Sequence, residues 1–362
     1  MDRPEKNSNS PALTDDVAVR RMLGDATEPE PGRPPRVRPG TAATAGPVAT
    51  MSEVGIPRVK ETIAHGKGEL LFFGITPPRR STDPEKLPEI AGRTLARLDG
   101  LALDSLILYD LADESSRTEQ ERPFPFSETH DPASYQAEYL QAWEGHSIIY
   151  RSVGKYTPEQ LRSFLNTAPA EVSTVFVGAP SKDTPVKMSL REAYEVYRNE
   201  NSPIPLGAVA IPERHARHGD EQDRLVMKQR QGCSFFVTQV VYDRRSAKDM
   251  VSDYARALRA EKDLRPAPII FTLSVCGSLK SLEFLRWLGV DVPRWLSNEL
   301  EDTDDPLGLS AAHAAGAAQE LAQYCRHLGI PFGFNVESVS SRKVEIEASV
   351  QLAHEVSQLL RR

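Results

Sequence analysis

Short apolar runs alternate with longer amphipathic stretches along most of the chain. Runs such as 70–75 and 172–177 are apolar nearly throughout, which is typical of strands buried on both faces. Turn residues and polar stretches separate them from one another. The pattern predicts strands at 70–75, 105–110, 146–151, 172–178, 206–211, 233–239, 268–273 and 330–337.

The stretches between these runs have helical periodicity. Residues 87–98 place apolar side chains on one face, with Pro88 in the first turn. Thr157, Pro158 and Gln160 have the spacing of an N-cap followed by a capping box. The pattern predicts helices at 87–98, from 158 onward, and at 189–198, 220–231, 247–260, 279–288, 311–328 and 344–360.

Strands joined by helical crossovers pair in parallel, and this alternation predicts an α/β fold, a (β/α)8 TIM barrel, over residues 53–362. An open doubly wound sheet is the alternative, although no G-x-G-x-x-G motif follows a predicted strand. Residues 1–52 are rich in Pro, Ala, Thr, Gly and charge and predict a disordered N-terminal extension. Met51 is an alternative start of translation.

Composition narrows the class of protein without naming a reaction. The 362 residues carry a formal net charge of -7, which argues against a nucleic-acid partner. The three cysteines form no C-x-x-C pair, so we expect no structural metal site. No apolar run is long enough for a membrane span, and the N-terminus lacks the apolar core of a secretory signal. We therefore expect a cytoplasmic protein.

In a TIM barrel the active site lies at the carboxyl ends of the strands. Gln239 follows one strand and could hydrogen-bond a planar heterocycle or merely cap a neighbouring loop. Glu213 and His215 form a charged segment that could move protons or simply be exposed. Lys228 lies on a helix, as a solvated residue or a cation for phosphate. Other polar residues just past predicted strands include Tyr109, Asp113, Tyr150, Glu337 and Ser338.

Three segments in sequence order resemble the methylenetetrahydrofolate reductase family. They are residues 232–243, which contain Thr238-Gln239 and end at Asp243, residues 288–300 around Pro293 and Trp295, and the Pro-Glu-Arg-His motif at 212–215. Their order and spacing extend the resemblance from about residue 68 to 362.

The resemblance implies FAD and NAD(P)H as cofactors and a small-molecule folate as substrate, in a barrel that could be a homo-oligomer. Gln239 and Leu279 would bind the folate. Tyr109, His146, His215 and Lys228 would contact FAD.

The sequence departs from the family where the family places its proton donor. A Glu at the end of the first strand is replaced here by Gly74, and an Arg and an Asp after the fourth strand are also missing. Asp110, Asp113 and Glu114 make the loop after the second strand acidic, which disfavours a pyrophosphate nearby. The remaining candidates for the catalytic proton source are Glu213, His215 and Asp113.

Three functions remain open from the sequence. The first is a divergent oxidoreductase that reduces 5,10-methylenetetrahydrofolate to 5-methyltetrahydrofolate, or a related C1-folate, with NAD(P)H. The second is a barrel without redox chemistry that binds folate as an accessory or regulatory subunit. The third is a flavin-free reductase that takes its hydride directly from the nicotinamide.

Overall fold

The computed structural model describes residues 59–361 apart from 61, 64, 67, 116–117 and 180–183. The extension expected at 1–52 lies outside these residues. Within the described ranges, no helix is both long and apolar enough to cross a membrane.

Eight parallel strands close into a barrel in sequence order, each paired with its neighbours and β8 with β1. The (β/α)8 prediction is confirmed, and the open-sheet alternative is wrong because β8 closes on β1 through six residue pairs from Glu69–Phe332 to Gly74–Glu337. The strands are β1 (Glu69–Ile75), β2 (Ser105–Leu108), β3 (His146–Ser152), β4 (Val172–Val177), β5 (Leu206–Ala210), β6 (Cys233–Val240), β7 (Ile269–Ser274) and β8 (Phe332–Glu337).

Helices cover the outside of the barrel. The predicted capping box is present, with the Thr157 side chain accepting from Gln160 N and the Gln160 side chain accepting from Thr157 N. Short 3-10 turns occupy Pro84–Lys86 and Val153–Lys155. The α-helices are α1 (Leu87–Leu98), α2 (Pro132–Tyr139), α3 (Pro158–Thr167), α4 (Leu190–Glu200), α5 (Pro212–His218), α6 (Glu221–Arg230), α7 (Arg244–Leu258), α8 (Leu279–Trp287), α9 (Arg294–Asp302), α10 (Pro306–Leu328) and α11 (Lys343–Leu360).

The short helices α2, α5 and α9 were not predicted. α2 and α5 begin with a proline, which supplies a helical φ without needing a hydrogen-bonded N–H, and Pro293 is the N-cap residue of α9. The Asp131 side chain also caps α2 by accepting from Ala133 N and Ser134 N. These helices span two turns or slightly more, too few for a clear apolar periodicity.

The interior of the barrel is filled by side chains. Gly207 on β5 makes room for Phe235 of β6, since a Cβ there would lie 2.5 Å from the Phe235 ring. This packing leaves ligand space at the ends of the barrel. The buried interior cluster includes Leu70, Phe72, Ile107, Ile148, Tyr150, Val175, Phe235, Val237 and Ile270.

A segment comprising α8, α9 and the loop between them packs beside the carboxyl ends of β6 and β7. Leu285 and Leu296 from these helices share an apolar cluster with Val240 and Tyr242. The loop at 288–293 is thereby brought to the carboxyl end of the barrel, which we call the mouth.

Candidate active site at the barrel mouth

A hydrogen-bonded group of polar side chains at the mouth joins β2 to β8. The Tyr109 hydroxyl, just past β2, donates to Oε2 of Glu337 at the end of β8. Asn335 Nδ2 donates to the Tyr109 oxygen at 2.9 Å and lies 3.4 Å from Thr272 Oγ1 of β7. Asn335 and Glu337 are two residues apart in a strand, so their side chains emerge on the same face. We call Tyr109, Asn335 and Glu337 the mouth triad.

Gly74 of β1 allows this group to assemble. It pairs with Glu337 in the β1–β8 register. A Cβ at Gly74 would lie 2.9 Å from Tyr109 Cε2 and 3.1 Å from Glu337 Cβ. The position where the resembled family has a carboxylate is therefore taken up by groups from β2 and β8. The Tyr109 ring also packs edge-on against Tyr150, with centroids 4.8 Å apart.

Burial sets the protonation of the triad. Loss of solvent raises the pKa of Glu337 to about 7, although the hydrogen bonds from Tyr109 and Asn335 act in the opposite direction. Burial and the nearby Glu337 charge raise the pKa of Tyr109 well above its usual range. At neutral pH the phenol therefore keeps its proton, while the carboxyl exists in both protonation states.

A second carboxyl lies on the β5 side of the mouth. Glu213 is buried in α5, accepts a hydrogen bond from the Asp291 backbone, and has an Oε2 with no partner among the described residues. Burial raises its pKa to about 7. Of the three predicted proton sources, Glu213 has the protonation behaviour of an acid–base group near neutral pH.

Gln239 lies at the carboxyl end of β6, as predicted, and is partly exposed. Its Nε2 donates to the Leu288 carbonyl at 3.1 Å, and its Oε1 accepts from Val240 N. The amide is thus at the mouth but held by the loop at 288–293, which also contacts Glu213 through Asp291. Leu279, the first residue of α8, is half-exposed.

Two predicted site residues have surroundings unlike those of a proton source. Asp113 is exposed and accepts hydrogen bonds from Ser115, which lower its pKa, so it is ionised at neutral pH and has no proton to donate. His215 is buried with its Nε2 3.3 Å from Asp253 of α7, so its ring faces the outer helices. For both residues the predicted proton-donor role conflicts with the geometry.

His146 was predicted to contact FAD, and its position contradicts this. It is the first residue of β3, at the amino end of the barrel, and is fully buried. Its ring nitrogens lie 3.0 Å from the hydroxyl oxygens of Ser105 and Ser173. A residue at the amino end cannot contact a ligand at the mouth, so the match in sequence reflects a structural role here.

Lys228 has a buried structural contact as well. Its Nζ donates to the Val209 carbonyl at 2.6 Å and lies 3.5 Å from Oε1 of the fully buried Glu221. Engaged in this way, the ammonium group does not extend over the mouth. Of the predicted FAD contacts, Tyr109 lies in the mouth triad, where its hydroxyl is committed to Glu337.

The acidic loop after β2 is partly neutralised. Asp110 is buried and paired with Lys155 Nζ at 2.5 Å, and it accepts from Ser152 N and Tyr156 OH at 2.8 Å each. Its carboxylate therefore anchors the loops after β2 and β3 and contributes little free negative charge at the mouth.

Sequence reasoning named Glu337 as a polar residue past a strand but gave it no role, and it passed over Asn335. The signal was present in β8, where Gly333, Asn335 and Glu337 alternate with Phe332, Phe334 and Val336. Such alternation in a strand with helices outside indicates a polar face turned toward the barrel axis. Among the described residues, no cluster of His, Cys, Asp and Glu suited to a metal ion occurs.

Fold and site together define a (β/α)8 barrel with a hydrogen-bonded acid cluster at the carboxyl ends of its strands. A solved structure of an uncharacterized Clostridium thermocellum protein that binds two copies of 5-methyl-5,6,7,8-tetrahydrofolic acid is 41% identical, over 83% of this chain and 99% of the other, with a TM-score of 0.73. The chain belongs to the same family as this protein.

Other solved structures share lower similarity. A dihydropteroate synthase from Xanthomonas albilineans is 11% identical over 80% of this chain and 92% of its own, with a TM-score of 0.42. An oxaloacetate acetylhydrolase is 13% identical over 78% of this chain and 80% of its own, with a TM-score of 0.39. No protein-family model and no curated protein matches the chain. The resemblance to methylenetetrahydrofolate reductases therefore stays a prediction.

Proposed function

We propose that this protein binds a reduced folate at the barrel mouth and reduces 5,10-methylenetetrahydrofolate to 5-methyltetrahydrofolate with NAD(P)H. The observation that carries the proposal is the 41% identical relative that binds 5-methyltetrahydrofolate, the product of this reaction. The acid cluster at the mouth supports it, because opening the one-carbon bridge of the substrate requires a proton.

The mouth offers suitable groups for a pterin ring. The amide of Gln239 is partly exposed, and the loop at 288–293 contacts both this amide and the buried carboxyl of Glu213. A pterin presents adjacent N–H donors and acceptors along one edge, which amide and carboxyl groups bind in pairs. The half-exposed Leu279 at the start of α8 gives an apolar contact for the aminobenzoyl ring of the folate.

The residues assigned to FAD by resemblance do not fit a flavin at this mouth. His146 lies at the opposite end of the barrel, His215 faces Asp253, and Lys228 is held by Val209 and Glu221. This arrangement favours the flavin-free route, in which the hydride passes directly from the nicotinamide to the folate carbon.

A barrel that binds folate without redox chemistry is the second candidate. It is favoured by Gly74, which leaves β1 without the carboxyl of the resembled family. The two candidates differ in whether the bound folate turns over.

The test uses the purified full-length protein in three measurements. Calorimetric titration with 5-methyltetrahydrofolate should show binding, with p-aminobenzoylglutamate, which lacks the pterin, as a much weaker control. The visible spectrum should lack flavin absorbance, and NADH or NADPH should be consumed only when 5,10-methylenetetrahydrofolate is added. Folate binding without nicotinamide oxidation would select the second candidate, and no folate binding would contradict both.

A further inference from the structure

The two carboxyl oxygens of Glu337, at the end of β8, differ in their hydrogen bonds. The hydrogen bonds to Glu337 from Tyr109 and Asn335 reach Oε2, and none reaches Oε1 among the residues that the structure describes. Within the same residues, the groups that shift the pKa of Glu337 are Tyr109 and Asn335, and neither is a cation. Tyr109 and Glu337 are partly exposed at the mouth. One oxygen is therefore fixed while the other remains available to a ligand.

Resting on the proposed function, we propose that Glu337 is the catalytic acid of the bound folate's ring opening, with Tyr109 and Asn335 as its positioning residues. Glu337 lies 263 positions after Gly74 in the sequence, but the two residues are paired neighbours in the barrel. The Glu337 carboxyl on β8 therefore lies beside Gly74 of β1.

Glu337 gives its proton to N10 of 5,10-methylenetetrahydrofolate as the bond between N10 and the methylene carbon breaks, and that electron pair stays on N10. The methylene carbon is left as an iminium ion on N5. A hydride from the reduced nicotinamide then adds to this carbon, which gives the N5-methyl group and the oxidised nicotinamide. The Glu337 carboxylate regains its proton from water.

The surroundings of Glu337 suit a group that must be protonated near neutral pH. The titratable groups that face it are Tyr109 from β2 and Tyr150 from β3, both of which stay neutral because burial raises the pKa of each. β1 contributes Gly74, and β7 contributes Thr272 through Asn335. Burial raises the pKa of Glu337 to about 7, near the value that favours general acid catalysis.

A purely structural role for the Tyr109–Glu337 hydrogen bond, tying β2 to β8, would give different results. Loss of a structural tie lowers stability and leaves the pH dependence of turnover unchanged. Loss of the catalytic acid removes the fall of kcat at alkaline pH, which we call the alkaline limb. The pH profile of kcat therefore separates the two roles.

The experiment compares wild type, Glu337→Gln and the control Glu347→Gln in the full-length protein, by folate titration and by nicotinamide oxidation across pH. Glu347 is an exposed glutamate of α11 paired with Lys343, so its replacement tests the chemistry of the substitution away from the mouth. In the wild type and the control, kcat should fall as pH rises through about 7.

In Glu337→Gln we expect 5-methyltetrahydrofolate affinity within about threefold of wild type, since the amide has nearly the shape of the protonated carboxyl and keeps an oxygen that accepts hydrogen bonds. Turnover should fall by about 100-fold or more, and the alkaline limb should disappear. A Glu337→Gln variant that keeps its kcat and its alkaline limb would overturn the assignment while leaving the proposed function intact.

Two further variants keep the test decisive if Glu337→Gln folds poorly. Glu337→Asp retains an acid with a shorter reach and should recover part of the activity with the limb preserved. Tyr109→Phe removes a hydrogen bond that lowers the pKa of Glu337, so the limb should move to higher pH. An unmoved limb in Tyr109→Phe would count against Glu337. Failure of the proposed function is seen separately, in wild-type protein that fails to bind or to reduce folate.

Discussion

At the scale of single residues, the absence of a side chain at Gly74 is as important as the side chains around it. Tyr109 and Glu337 occupy the space that a Cβ on β1 would need. A side chain at position 74 of β1 and the Glu337 carboxyl on β8 therefore exclude one another sterically, since both cannot occupy the same volume.

Gly74→Ala should lower the free energy of unfolding by about 1–3 kcal/mol, because the new methyl group overpacks against Tyr109 and Glu337. Gly92→Ala is the matched control, since a Cβ there meets nothing within 4 Å and lies inside α1. That control should gain about 0.5–1 kcal/mol from the better helix propensity of alanine. Urea denaturation measures both, and equal effects of the two substitutions would contradict the packing at Gly74.

Glu213 makes the stability of the fold depend on pH. Its pKa is about 7 in the folded protein and 4.5 as the ordinary value, so the unfolded chain ionises first as pH rises. The contribution of Glu213 to stability is thus complete below pH 4.5 and is lost as pH rises through about 7.

Glu213→Gln, which cannot ionise, should therefore stabilise the protein by on the order of 2–3 kcal/mol at about pH 8. The gain should vanish at about pH 4, where the carboxyl is protonated in both states. Denaturant unfolding at the two pH values measures the difference. A gain of the same size at both would show that the charge of Glu213 is not its cause.

At the scale of elements, the loops after β2 and β3 are joined by one buried carboxylate. Asp110 accepts from the Ser152 amide, the Tyr156 hydroxyl and the Lys155 ammonium group, and it directly follows Tyr109. The position of the phenol in the mouth triad therefore depends on a contact between two loops.

Asp110→Asn should cost about 2–3 kcal/mol of stability, because it removes the charge of a buried carboxylate and takes the counter-ion from the exposed Lys155. Asp113→Asn in the same loop should change stability by less than about 0.5 kcal/mol, since that carboxylate is exposed. Thermal unfolding of the two variants side by side provides the comparison. A similar loss of stability in both variants would mean that any substitution in this loop is destabilising and that the Asp110 contacts are not the cause.

At the scale of the whole molecule, the two ends of the barrel have separate roles. The amino end holds His146 between two serine hydroxyls, and the carboxyl end holds the acid cluster. The packed interior cluster lies between them. Substitutions at the amino end should accordingly lower stability and leave ligand binding unchanged.

His146→Ala should lower stability by about 2–4 kcal/mol, because it opens a cavity and removes the hydrogen-bond partner of the buried Ser173 hydroxyl. The affinity for 5-methyltetrahydrofolate should stay unchanged in the folded fraction. His354→Ala, at an exposed histidine of α11, is the control for both measurements. A selective loss of folate affinity in His146→Ala would restore the ligand-contact role that the resemblance implied.

The alternation of apolar runs and amphipathic stretches determined the eight strands, their parallel pairing and most of the helices, since burial on both faces leaves a local mark on every strand. It also placed Tyr109, Glu213 and Gln239 at the ends of strands. Proximity across the barrel was decided by tertiary structure: the register of β1 and β8 brings Gly74 beside Glu337, and the closure of the barrel brings Tyr109 to both. No local pattern records such a meeting, because residues separated by more than two hundred positions become neighbours only when the sheet closes. His146 and Lys228, to which the resemblance assigns cofactor contacts, are held instead by partners much nearer in sequence, on neighbouring strands and within the same helix.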